Sequence, residues 1–152
     1  LASFYGMRRS ELLGLRWSAI DFRKGTLTIS TTVVRGKQGE EIVAVVRENT
    51  TKSDSSMRTL PLCQYTYQYF SWLRQQQATQ RDLCGGSYDQ RFLDFVCVDQ
   101  IGTLLHPDYV THKFVQVLNK YGLRPIRFHD LRHPYVKPTT TNFRSFFEFL
   151  CR

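Results

Sequence analysis

The sequence predicts an α+β domain, mainly helical, with a small three-stranded antiparallel sheet inserted after the first helix. Three observations predict it. Apolar residues recur at helical spacing in segments opening near residues 7, 63 and 107. Between the first two lie runs rich in β-branched residues, separated by glycine-containing and polar turns. The chain has 152 residues, 41% hydrophobic and 14% aromatic, which is about one domain and enough to bury a core without disulfide or metal staples.

The first helix is expected over "MRRSELLGLRW" (7–17), with Leu12 and Leu15 on one face, Leu13 beside them, and Arg8 and Glu11 three apart on a neighbouring stripe. "SAIDFRKG" breaks that pattern with a turn around Lys24-Gly25. "TLTISTTVV" (26–34) reads as a strand, "RGKQGE" as a hairpin tip and "EIVAVVREN" (41–49) as the returning strand. "TTKSDSSMRTLPL" (50–62) holds a polar turn at 53–56 and a short third strand ending at Pro61. Three sequential strands with short connections predict a meander. Residues 63–82 form a long helix, with Tyr65, Tyr69, Trp72 and Leu73 on one face and glutamine-rich polarity opposite. "CGGSYDQ" is a loop, and "FLDFVCVD" (92–99) is either a buried strand or an irregular apolar segment. His106-Pro107 opens a helix that turns Val110, Phe114, Val117 and Leu118 inward and is closed by Gly122 and Pro125. A last helix is expected to begin near Arg127–His129. No internal repeat or low-complexity run is present, and "KPTTTN" (137–142) is a loop-like cluster near the end.

Charge narrows the function classes. There are 21 Lys+Arg against 13 Asp+Glu, a net of +8, and such an excess favours a polyanionic partner, because each neutralised phosphate releases counterions. The cations are scattered rather than gathered on one amphipathic helix, which argues against a membrane-surface role. No apolar run approaches the ~18 residues of a membrane span, and the N-terminus has no signal-peptide pattern. The chain begins without a methionine inside a predicted helix, so it is expected to be a piece of a longer protein. Cysteines 63, 84, 97 and 151 lack zinc-knuckle spacing. They are expected to be thiols, mostly buried, in a reducing cytoplasm.

Residues suited to chemistry gather in "RFHDLRH". On a helix, His129 and Arg132 project from one face, with His133 close behind. A guanidinium offers planar donors that match phosphate oxygens, and an imidazole beside it can donate or move a proton. The His129-to-His133 spacing also fits two metal ligands, but no Cys- or Glu-rich motif accompanies it, and no metal is expected. Taken singly, each candidate is ordinary. His129 and Arg132 would decorate a solvated helix, Arg8 would be a surface arginine paired with Glu11, and Lys52 one solvated lysine in a polar turn.

Their order changes that reading. "GMRRSELLGLRWSAIDF", then strands leading to "TTKSDSSMRTLPL", then "HDLRH" resembles the tyrosine recombinase family, the integrases of phages and conjugative transposons. The resemblance covers nearly the whole chain to residue 133. It implies a mainly helical DNA breaking-rejoining catalytic domain with a three-stranded sheet. The implied partner is double-stranded DNA, cut without metal or other cofactor through a 3′-phosphotyrosyl intermediate. By position, Arg8 matches the first catalytic arginine and Arg132 the second, the pair that would clamp the scissile phosphate and stabilise its developing charge. Lys52 matches the hairpin lysine that protonates the leaving 5′ oxygen, and His129 the histidine that assists proton transfer. Glu11 and His133 would orient the arginines and their helix. Arg9, beside Arg8, is a possible phosphate contact without a catalytic role.

The chain departs from the pattern after residue 133. The family continues with an apolar helix, a Gly-His or Gly-Trp motif and the nucleophilic tyrosine, whereas "PYVKPTTTNFRSFFEFLCR" contains no such box. Tyr135 stands three residues from Arg132, too near to match that nucleophile, and Pro134 and Pro138 interrupt a helix expected to continue. The sequence therefore divides into a partial integrase catalytic domain, 1–133, and an atypical tail, 134–152, lacking the nucleophile. Phe143, Phe146, Phe147, Phe149 and Leu150 make that tail apolar enough to need burial, and three outcomes are expected: a short helix filling the groove that the family's C-terminal helices cover, a disordered segment, or self-association by packing against another copy. The leading expectation is DNA recombination and integration in a parent protein of a mobile element. The alternative is a non-catalytic DNA-binding fragment of a degenerate integrase. A third reading, a phosphoesterase using His129 as nucleophile, rests on residue type alone.

Overall fold

The helix expected over 7–17 is shorter than its apolar spacing suggests and is preceded by a separate short helix that ends at Gly6. In the computed structural model, which describes residues 1–48 and 57–132, α1 runs Ala2–Tyr5 and α2 runs Arg9–Leu13. Between them Gly6 closes α1 at φ 59°, ψ 28°, a left-handed conformation that glycine reaches without a Cβ penalty. Leu12, Leu13 and Leu15 are all buried, so the apolar face holds although the helix is shorter than expected. α2 stops at Gly14, whose absent Cβ would lie 2.3 Å from the Thr31 carbonyl oxygen. The end of α2 thus presses directly on the following strand system.

The run 26–34 is two strands rather than one. After a 3₁₀ turn over Trp17–Ala19 come β1 (Ile20–Asp21), β2 (Thr26–Ile29), β3 (Thr31–Gln38) and β4 (Glu41–Glu48). β5 is Arg58–Pro61. Leu27, Ile29, Thr31 and Val33 are buried, one inward phase carried through both β2 and β3. The pairing corrects the expected meander. A three-stranded antiparallel sheet is present in the order β1-β2-β5, and β3 and β4 form a separate two-stranded ribbon. β5 pairs with β2, setting Leu27 against Leu60 and Ile29 against Arg58. In the ribbon Val33 faces Val46. Alternation specifies which side chains face inward but not which strand lies alongside. Residues 49–56, including Asn49 at the expected end of the second strand and the 53–56 turn, lie outside the described residues.

α3 (Gln64–Cys84) buries Thr66, Phe70 and Leu73. Tyr65, expected on that face, is 78% exposed. It sits one residue, about 100°, from the 66–70–73 stripe that touches the core, while Tyr69 and Trp72 flank the stripe half-buried. Gln77 continues it with polar contacts. The Trp17 indole donates to Gln77 Oε1 at 2.8 Å, and Gln77 Nε2 donates to the Val96 carbonyl at 2.8 Å. Of the two readings for 92–99, the irregular one holds. A 3₁₀ turn over Gln90–Phe92 leads into a segment joined to the α2–β1 connection by Val96 N–H donating to Leu15 O and Trp17 N–H donating to Asp94 O.

α4 (Pro107–Lys120) agrees with its sequence pattern. His106 caps it, Nδ1 accepting from the Asp108 N–H at 3.2 Å, and Val110, Phe114, Val117 and Leu118 are buried. The last expected helix is a 3₁₀ turn, Phe128–Arg132, anchored by Phe128 edge-on to Phe114 at 5.3 Å. The expectation of mostly buried thiols is not met among the described residues: Cys63 is exposed, and Cys84 and Cys97 are half-buried. No helix among the described residues is long and apolar enough to cross a membrane.

Candidate active site

Arg8 stands at the N-cap of α2 in an extended conformation. Its backbone N–H donates to Glu11 Oε2 at 2.7 Å, and its Nη1 donates to Glu11 Oε1 at 2.9 Å. A glutamate three residues into a helix reaches back to the cap N–H in this way because that donor has no partner within the helix. The Arg8 side chain is 56% exposed, whereas that of Glu11 is 4% exposed. A carboxylate so buried needs compensation from charged donors. Arg58, on β5, supplies it: Nη1 and Nη2 reach Oε1 and Oε2 at 3.1 and 2.9 Å, a bidentate fork. Burial pushes the Glu11 carboxyl up, but the Arg58 hydrogen bonds, the Arg8 backbone N–H and the two guanidinium groups together outweigh it, and its pKa is lowered from 4.5.

Arg132 reaches the same corner from the far end of the described chain. Its Nε donates to the carbonyl oxygen of Gly6 at 2.7 Å, across 126 residues of sequence. Gly6 closes α1, where carbonyls lack helical partners, and Met7, fully buried, separates it from Arg8. The two arginine-bearing segments therefore meet at three consecutive residues, Gly6–Arg8. One of the five N–H donors of the Arg132 guanidinium is committed to Gly6, and the Nη side remains suited to a planar anion.

His129 lies on the same 3₁₀ turn as Arg132 and is exposed. Side chains three apart eclipse on a 3₁₀ helix, so the two leave the turn on one side. Asp130 fastens the start of the turn, accepting from Arg127 N–H at 2.9 Å and pairing with Arg127 Nη2 at 3.2 Å. Arg9 Nη1 donates to Thr111 Oγ1, tying α2 to α4. Lys52, His133 and Tyr135 lie outside the described residues, as does the whole tail 134–152. Among the described residues no group of three or more His, Cys, Asp or Glu could hold a metal ion.

Sequence reasoning missed Arg58. A signal for it existed: on a strand of alternating burial, Arg58 and Leu60 share the half-buried phase, and an arginine on that phase needs an acid partner. Which acid it meets depends on tertiary packing.

The model of the Phage integrase family matches residues 1–136. A tyrosine recombinase XerC-like protein of Caldanaerobacter subterraneus subsp. tengcongensis is 26% identical over 142 residues, 90% of this chain and 36% of the relative. A structure of the Tn1549 transposon integrase in complex with a circular intermediate DNA superposes with a TM-score of 0.65 at 19% identity, over 88% of this chain and 42% of that one. Another, with transposon right end DNA, gives 0.65 at 20% identity, over 99% and 48%. The chain thus spans about a third of the recombinase and under half of the integrase. At these identities the structural likeness shows the fold, a tyrosine recombinase catalytic domain. With the family match extending over residues 1–136, the chain belongs to the phage integrase family of tyrosine recombinases.

Proposed function

We propose that residues 1–133 form the phosphate-binding part of a DNA strand-breaking and rejoining domain, serving site-specific recombination in the parent protein of a mobile element. Arg8 and Arg132 hold the non-bridging oxygens of the scissile phosphate and offset the charge that grows as phosphorus becomes pentacoordinate. Lys52 protonates the leaving 5′ oxygen and His129 assists proton transfer, with Glu11 and His133 orienting the arginines and their turn. One observation carries the reading: the Arg132–Gly6 hydrogen bond joins the two arginine motifs at one backbone corner. The Tn1549 integrase was seen bound to DNA, and the +8 charge suits the same partner here. Residues 134–152 contain no Gly-His box ahead of a distant tyrosine, and the reading for this chain is duplex binding without a nucleophile of its own.

The test combines binding with trapping. Duplex affinity should fall roughly tenfold or more between about 50 and 200 mM salt. Arg8→Ala and Arg132→Ala should each weaken binding of the folded protein about tenfold at low salt, the scale of one charge-assisted contact, and should also lower the unfolding temperature, since they break the bonds to Glu11 and to Gly6. A nicked suicide duplex followed by denaturing electrophoresis should give no covalent adduct. Affinity indifferent to salt and to both alanines would remove the phosphate site. An adduct lost in Tyr135→Phe would overturn the missing nucleophile.

A further inference from the structure

We propose that Arg58 is a positioning residue for Arg8: by closing both oxygens of the buried Glu11 carboxylate from β5, it fixes the anchor from which Arg8 presents its guanidinium to a phosphate. The proposal rests on the phosphate-binding reading above.

Among the described residues, Glu11 is the side chain bonded to both arginines. Arg8 bonds it twice, through backbone N–H and through Nη1, so the direction in which Arg8 points follows from where the Glu11 carboxylate sits. That carboxylate lies on a helix of five residues, too short to be rigid by its own hydrogen bonds. Arg58 adds two bonds from a strand held in the three-stranded sheet. Among the described residues, the charged side chains touching Glu11 are therefore Arg8 from its own element and Arg58 from β5. Of the charges on the elements packed against α2, Arg35 of β3 pairs with Asp108 of α4 at 3.7 Å, and Arg9 of α2 itself is turned to Thr111 of α4. Removing Arg58 would leave a nearly inaccessible carboxylate with one guanidinium. Burial, the largest of the influences on Glu11, would then favour the neutral acid, a weaker anchor for Arg8.

The experiment compares the 152-residue chain with Arg58→Gln and Arg58→Lys. Titration of the Glu11 carboxyl by ¹³C NMR should move upward in Arg58→Gln, and Arg8 Nε–H exchange with solvent should quicken. Affinity for a fluorescein-labelled duplex should fall roughly tenfold and become pH-dependent, weaker on the acidic side. Arg58→Lys, which keeps a charge but not the fork, should recover part of each change and serves alone if the glutamine variant does not fold. Unaltered Glu11 titration and Arg8 exchange would overturn the proposal even if the variant melts earlier, because a purely structural arginine predicts lost stability alone. Failure of the phosphate-binding reading is read separately, as unchanged duplex affinity in Arg8→Ala.

Discussion

Replacing Gly14 by alanine should strike the fold where it supports the candidate site. An alanine Cβ there would lie 2.3 Å from the Thr31 carbonyl oxygen and 2.6 Å from both Thr31 C and Thr32 Cα, where ordinary contact begins at 3.4 Å. All three atoms are backbone, so no rotamer change relieves the overlap, and α2 must move about 1 Å away from β3. Overpacking of this kind costs about 1–3 kcal/mol, and a backbone-on-backbone clash belongs at the upper end. Gly14 has φ −85°, an ordinary region, so alanine regains up to about 1 kcal/mol from its own backbone preference. The net loss is about 2 kcal/mol, or roughly 4–8 °C in unfolding temperature for a chain of this size. Thermal unfolding followed by far-UV circular dichroism measures it. A Gly14→Ala variant melting within about 2 °C of the parent would refute the claim that this glycine exists for close approach.

Two further outcomes follow from the same corner. The folded pKa of Glu11 is held below its ordinary 4.5, so its stabilisation is complete above that value and is lost as pH falls through the lower folded one; Glu11→Gln should flatten this acid limb, and urea midpoints measured against pH would contradict it if both proteins lost stability in parallel. Phe128→Ala should cost about 3–5 kcal/mol, because Phe128 is buried against Phe114, and should weaken duplex binding too, by releasing the turn that carries Arg132. Calorimetry and anisotropy on one sample check it, and lost stability with intact binding would uncouple the turn from the site.

What the sequence made legible depended on the kind of information each element needed. α4 was readable almost residue by residue, since one apolar stripe, a capping His106 and Pro107 at its start are all local signals. α3 was readable as a helix, but its aromatic residues suggested a face that includes Tyr65, while packing chose Thr66, Phe70 and Leu73. The first helix was drawn too long, over 7–17, because Leu15 keeps the apolar spacing beyond Gly14, where the backbone has already left the helix. The strands were visible and their partners were not: β-branched content marked 26–34 and 41–49 as extended, whereas the break between β2 and β3 and the choice of β5 as neighbour to β2 are made by non-local packing. The site followed the same division. Arg8, Glu11, His129 and Arg132 stood out through motif order, yet Arg58 did not, because its meaning lies in a contact across 47 residues.

Both arginines of the candidate site are located by backbone as much as by charge, and this bears on how such a site tolerates sequence change. Arg132 is held by a carbonyl, that of Gly6, and Arg8 is held in part through its own N–H. A carbonyl and an amide survive any side-chain substitution that preserves the turn, so the corner constrains conformation at Gly6 and burial at Met7 rather than a set of polar side chains. The exception is Glu11. It converts the position of a strand, through Arg58, into the position of a helix N-cap, and it does so with a charge that the interior would otherwise reject. Buried carboxylates are costly unless fully bonded, so Glu11 and Arg58 constrain each other as a charged pair, whereas the Gly6 corner asks for a left-handed backbone at Gly6 and an apolar side chain at Met7.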